Sequence, residues 1–227
     1  MRAALFLLLL LLVAGLPGLW VRRVLARHGR DQTYGISGAQ AARRFLDRVG
    51  LPAVKVEQAG PEGDHYDPLA QAVRLAPERM QSRSLTAVVV AAHEVGHAMQ
   101  HAAHEVGFGF RIELAKLALV AQRAGIVLFI AAPLLALVAR SPMVLLVAAG
   151  VGALGFLLAV VVHVATLPVE LDASFGKALP LLVAGGDLKS ADYPAARSIL
   201  RAAAFTYVAG AAMALLSFGR WGGILRA

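Results

Sequence analysis

Apolar positions along the chain cluster in four long stretches. Residues 3–20 run from Ala3 through a leucine block to Trp20 without a charged residue. Residues 117–139 form a second stretch, interrupted by Gln122 and Arg123, and residues 143–167 a third, broken by His163, which reads as an interhelical hydrogen-bonding histidine. Residues 202–219 form a fourth, rich in small residues suited to helix packing. A helix needs about 20 apolar residues to cross a bilayer, so each stretch is a candidate span, and Arg140-Ser141-Pro142 turns the second and third into a helical hairpin. For residues 3–20 the rival is a cleaved signal peptide, but Arg22 and Arg23 follow the apolar block, which favours a retained anchor.

The segment between the first two stretches has a different pattern. Ala72-Val73-Arg74-Leu75 alternates as a short strand. Ser84 can cap a helix, and Leu85 to Ala92 is an unbroken apolar run behind it, as a buried helix requires. The pattern as a whole predicts a mainly α integral membrane protein with about four transmembrane helices and a small α+β unit. Its parts are an anchor over 1–21, the α+β unit over 22–116, the hairpin over 117–167, a returning segment over 168–201, and a last helix and tail over 202–227.

Two crossings separate residues 22–116 from residues 168–201, so both segments lie on one side of the bilayer. Lys and Arg near the ends of the apolar stretches concentrate on that side, which places it in the cytoplasm of a multi-pass inner-membrane protein.

Composition strengthens this picture. Hydrophobic residues make up 59% of the 227 positions and charged residues 16%, with a mean hydropathy of +0.68. Ordinary soluble domains have about 45–50% and about 25%, so composition argues against a purely soluble, disordered or coiled-coil chain. With no cysteine, disulfides, thiol nucleophiles and cysteine-held metal centres are excluded too. The net charge of +8 comes from dispersed Lys and Arg rather than a basic tract, which argues for a lipid bilayer and against nucleic acid as partner.

The sharpest chemical signal is His93-Glu94-Val95-Gly96-His97. Composition alone would yield an HExxH pattern roughly 0.007 times in such a chain. On a helix, positions i and i+4 stack on one face, so His93 and His97 can both ligate one zinc ion. Glu94 between them is placed to act as general base on a water activated by the ion. Gly96 lets another backbone approach the helix. His104-Glu105-Val106-Gly107 repeats the first half of the motif, but Phe108 stands where its second histidine would be, so no metal is expected there.

A catalytic zinc site generally has three protein ligands. Glu170 and Asp172, just after the third apolar stretch, return to the side of the motif and are the candidates for the third, with Glu170 preferred as ligand and Asp172 as a group orienting a ligand histidine. Asp187 and Asp192 read as solvated loop carboxylates that need no partner. Asp67-Pro68 reads as a turn into the Ala72–Leu75 strand. Val73, Arg74 and Leu75 could form a cleft edge that pairs with an extended substrate backbone.

Gly35-Ile36-Ser37-Gly38, Asp64-His65-Tyr66-Asp67-Pro68, Val73-Arg74-Leu75, His93-Glu94-Val95-Gly96-His97, Leu167-Pro168-Val169-Glu170 and Ala203-Ala204-Phe205-Thr206-Tyr207 together resemble the YugP-type membrane zinc metallopeptidase family. The resemblance implies a zincin-like catalytic unit, one Zn2+ per chain, His93, His97 and Glu170 as ligands, Glu94 as catalytic glutamate, and a protein or peptide substrate. In related membrane metallopeptidases with a glutamate ligand, a supporting aspartate follows four residues later. Here that position is Ser174, which leaves Asp172 or Ser174 as the support. The rivals are a non-catalytic membrane scaffold with a structural zinc, for which His101 or Asp172 would be the fourth ligand, and a protease that cleaves within the membrane.

Overall fold

A computed structural model describes residues 16–61, 63–141 and 143–206. These are mostly helical, with one small sheet, and they fall into two compact units, residues 16–109 with 167–206, and residues 110–166.

The first unit is α+β. It starts with helix α1 over residues 16–27 and helix α2 over Gly38–Arg48. A capping box fixes the start of α2, where the Ser37 hydroxyl accepts from the Gln40 backbone N–H and the Gln40 side chain accepts from the Ser37 N–H. Ala41, Ala42, Phe45 and Leu46 then form one buried face. Three short strands follow, β1 over Lys55–Gln58, β2 over His65–Asp67 and β3 over Ala72–Leu75, and then the one-turn helix α3 over Pro77–Met80.

Helix α4 spans Leu85–Ala102 and is buried along nearly its whole length, which its all-round apolar sequence requires. Ser84 caps it, the hydroxyl accepting from the Ala87 N–H. The chain returns to this unit at the end of α6, continues as a π-helix over Asp172–Ala178, and closes with α7 over Leu179–Ala184, a 3-10 turn over Ser190–Asp192 and α8 over Tyr193–Ala204. Fully buried Phe45, Leu46, Leu75, Leu182, Ile199 and Leu200 form the core.

The sheet order is β1-β3-β2. β3 runs parallel to β1, with Lys55 opposite Ala72, and antiparallel to β2, with Tyr66 opposite Val73. This corrects the edge-strand reading of Val73, Arg74 and Leu75. β3 is the central strand and both its edges are taken, so it has no free backbone groups for a substrate. The Arg74 side chain is also engaged, with Asp67 at 2.6 Å and Glu57 at 3.3 Å. Alternation predicts a strand but does not number its neighbours.

The second unit comprises residues 110–166 of the long helices α5 (Val106–Ala139) and α6 (Met143–Leu171). The expectation of about four transmembrane helices is not met. Among the described residues no single helix is long and apolar enough to cross a membrane, and only Val106–Gly125 with Ile130–Ala139 together reach that length, with a bend of 44° between them. Hydropathy counts apolar residues along the sequence, whereas a span needs them on one continuous helix, and here the passing pair is broken by the bend. The first expected span, residues 3–20, and the last, residues 202–219, fall largely on residues 1–15 and 207–227, outside the described residues.

Candidate metal centre

Helix α4 presents His93 and His97 one turn apart, with ring centroids 4.8 Å apart and planes at 78°. Both rings are buried, as is Glu94 between them. Glu170, near the end of α6 and 1% exposed, brings one carboxylate oxygen to 3.1 Å from His97 Nε2 and 3.5 Å from His93 Nε2. His93, His97 and Glu170 each offer one ligand atom, all within 4.8 Å of one another. Gly96 makes this approach possible, because a Cβ there would stand 2.5 Å from the Ala173 carbonyl oxygen on the Glu170-bearing segment.

Each imidazole is held from behind. His93 Nδ1 lies 3.0 Å from the buried Ser174 hydroxyl, which donates its own hydrogen to the Leu200 carbonyl at 3.1 Å. His97 Nδ1 lies 2.9 Å from Gln100 Oε1. The Gln100 amide nitrogen donates to the Val169 carbonyl at 3.0 Å and to Asp172 at 2.8 Å. Asp172 in turn pairs with Lys177 at 3.0 Å, and Lys177 with Glu105 at 2.8 Å. Burial works against ionisation of Asp172, but the Gln100 amide and the Lys177 ammonium hold its carboxyl below the usual range.

These bonds place a hydrogen on Nδ1 of each ring. Gln100 spends both amide hydrogens elsewhere, so it turns an oxygen, an acceptor, toward His97, which donates from Nδ1. The single Ser174 hydrogen goes to Leu200, so His93 donates from Nδ1 as well. Both Nε2 atoms then face the same carboxylate oxygen, away from water, and His97 Nε2 lies within hydrogen-bond distance of it. Two imidazole nitrogens with one carboxylate are a donor set that suits zinc and leaves a fourth position open.

Other sequence candidates lie outside this cluster. Asp172 reaches His97 only through Gln100, while Ser174 touches His93 directly. Gln100 was missed by the sequence reading, although its place three residues after His97 puts it on the same helical face. His101 Nδ1 is taken by the Tyr66 hydroxyl at 2.9 Å. Burial, with the Asp67 charge, pushes Tyr66 up to about 12, so its phenol stays protonated. Asp64 accepts from the Ala76 N–H and pairs with Arg79. Asp67 accepts from the N–H groups of Leu69 and Ala70, which builds the expected turn. Asp187 and Asp192, read as solvated, are partnered, the first by Arg44 and Arg48 and the second by the Tyr34 hydroxyl.

The model of a family described as "Putative neutral zinc metallopeptidase" matches residues 3–226. The chain belongs to this family. It is also 35% identical over 192 residues to the "Putative membrane protease YugP" of Bacillus subtilis (strain 168), covering 84% of this chain and 81% of that protein. No solved structure matches. Set beside this zinc metallopeptidase membership, the three-donor cluster is the place in the described residues where a metal fits.

Proposed function

We propose that the protein is a membrane-associated zinc endopeptidase in which His93, His97 and Glu170 hold the ion and Glu94 transfers the proton. The observation that carries this reading is the buried convergence of two imidazole Nε2 atoms on the Glu170 carboxylate. When bound, zinc supplies Lewis acidity, which polarises a peptide carbonyl and makes water a stronger acid. Glu94, an acceptor beside His93 on a buried helix, takes the proton that water gives up as it attacks and returns it to the departing amine. Ser174 and Gln100 keep the two imidazoles in the tautomer that leaves Nε2 free to ligate.

A membrane location is supported by the printed name of the Bacillus subtilis relative and by large apolar side chains left exposed on α5 and α6, such as Leu134, Leu137, Val138, Leu146 and Leu154. Arg22, Arg23, Arg27 and Arg30 beside the first apolar stretch favour a catalytic unit on the cytoplasmic side.

The test is zinc content per chain in purified wild type, Glu94→Gln and Glu170→Ala, with casein cleavage assayed on the same samples. We expect zinc in the wild type and Glu94→Gln, less zinc in Glu170→Ala, and cleavage by the wild type alone. A zinc-free wild type overturns the reading, and loss of zinc from Glu94→Gln removes Glu94 from its role.

A further inference from the structure

Gln100 has no exposed surface, and its amide bonds both to His97 and to the segment carrying Glu170. Its oxygen takes the His97 Nδ1–H. Its two hydrogens go to Val169 and Asp172, which stand on either side of Glu170 in sequence. The two halves of the candidate centre come from distant parts of the chain, α4 and the end of α6, and something must hold them in register before an ion can bind.

We propose that Gln100 is the positioning residue that assembles the metal centre, setting the direction of His97 and the place of Glu170 with one side chain. The inference rests on the ligand reading given under the proposed function. The chemistry of the amide is what the position needs. Toward His97 it must present an acceptor, and toward the Glu170 segment two donors at once, since a carbonyl and a carboxylate wait there. A carboxylate of the same shape keeps the first contact but loses both donors, and it sets a second negative charge against Asp172. Lys177 completes the brace, holding Asp172 against Gln100 while reaching Glu105 beyond the end of α4.

The polarity of the Gln100–Asp172 bond can be reversed, and that gives the test. Zinc affinity is measured by chelator competition on the full chain for wild type, Gln100→Glu, Asp172→Asn and the double variant. Cobalt(II) absorption and unfolding of the metal-free protein are followed in parallel. Gln100→Glu should weaken zinc binding about 10–100-fold and alter the cobalt band, with metal-free unfolding close to wild type. Asp172→Asn alone keeps an oxygen that accepts from Gln100 but loses the Lys177 ion pair, so it should weaken zinc binding less than Gln100→Glu does. Combined with Gln100→Glu it supplies a donor to the new carboxylate and should recover much of the lost affinity.

Unchanged affinity in Gln100→Glu, or no recovery in the double variant, overturns the proposal. So does a loss of affinity matched by an equal loss of metal-free stability with an unaltered cobalt band, which would mark Gln100 as ordinary core. Should Gln100→Glu not fold, nitrogen-15 NMR of the wild-type imidazoles still decides. His97 should carry a hydrogen on Nδ1 with and without zinc, and an Nδ1 without a hydrogen overturns the assignment. A wild type that binds no zinc takes down the ligand reading and this proposal together. Zinc bound equally by wild type and Gln100→Glu takes down this proposal alone.

Discussion

Gly96 and Ala173 meet backbone to backbone, so closely that a Cβ on Gly96 would stand 2.5 Å from the Ala173 carbonyl oxygen and 3.2 Å from its carbon. The contact lays the π-helix along α4 and brings Glu170 to the two histidines. Two effects compete in Gly96→Ala. Alanine is the better helix former by about 1 kcal/mol, but the clash is with main chain and no rotamer change relieves it. Overpacking of this kind costs about 1–3 kcal/mol, and here the neighbour must move with the ligand it carries. We expect Gly96→Ala to be less stable in urea unfolding and to hold less zinc per chain than the wild type.

Ser174 links His93 Nδ1 to the Leu200 carbonyl through one buried hydroxyl. Ser174→Ala strands a donor and an acceptor together, each a desolvation cost of about 1–3 kcal/mol, and frees His93 to turn. Zinc affinity should fall about 10–100-fold. Chelator competition measures this directly, and wild-type affinity in Ser174→Ala would show that His93 is held by other contacts.

What the sequence made legible was local. Ser84 and the apolar run behind it mark the start of α4, and the spacing of His93 and His97 places them on one face of it, because both signals depend only on helix periodicity. The order of the apolar stretches narrowed the third donor to Glu170 and Asp172, with Glu170 preferred. What was hidden is what depends on neighbours. A strand over Ala72–Leu75 was readable, but β1 and β2 on either side of it were not, so a central strand was taken for an edge. The π-helix over Asp172–Ala178 has no side-chain signature, and it governs where Asp172 and Ser174 point. Hydropathy in turn counted apolar residues without seeing the bend that divides Val106–Gly125 from Ile130–Ala139.

Asp67 makes the stability of the sheet depend on acid. The Ala70 N–H above all, joined by the Leu69 N–H and the Arg74 guanidinium, holds its carboxyl below the ordinary value of 3.8 and outweighs the opposing effect of burial. A carboxyl depressed in the folded state contributes stability that is fully present above its unfolded value and is lost as pH falls through the folded one. The wild type should therefore exceed Asp67→Asn in stability at pH 6, and the difference should shrink as pH drops below 4. Urea unfolding of both proteins across that range checks it, and a gap that stays constant with pH would mean the side chain contributes only through its shape.

Phe108 occupies the position at which the repeated His104-Glu105-Val106-Gly107 would need a histidine to become a second metal motif. Substituting one does not build a site, because the motif works only where a helix carries i and i+4 on one face. Helix α4 ends at Ala102, His104 has a left-handed backbone with φ of 51°, and α5 begins at Val106, so positions 104 and 108 do not share a helix. The wild-type phenylalanine instead packs its ring 5.9 Å from His97, 5.6 Å from His101 and 6.3 Å from Tyr66, with 2% of its surface exposed. Phe108→His should leave the zinc content at its wild-type value, whereas a doubled content would show that the loop refolds into helix. Phe108→Ala should lower stability by about 3–5 kcal/mol, the usual cost of emptying a buried aromatic position. It should also remove a ring that packs against His97, so metal affinity should fall along with the unfolding midpoint.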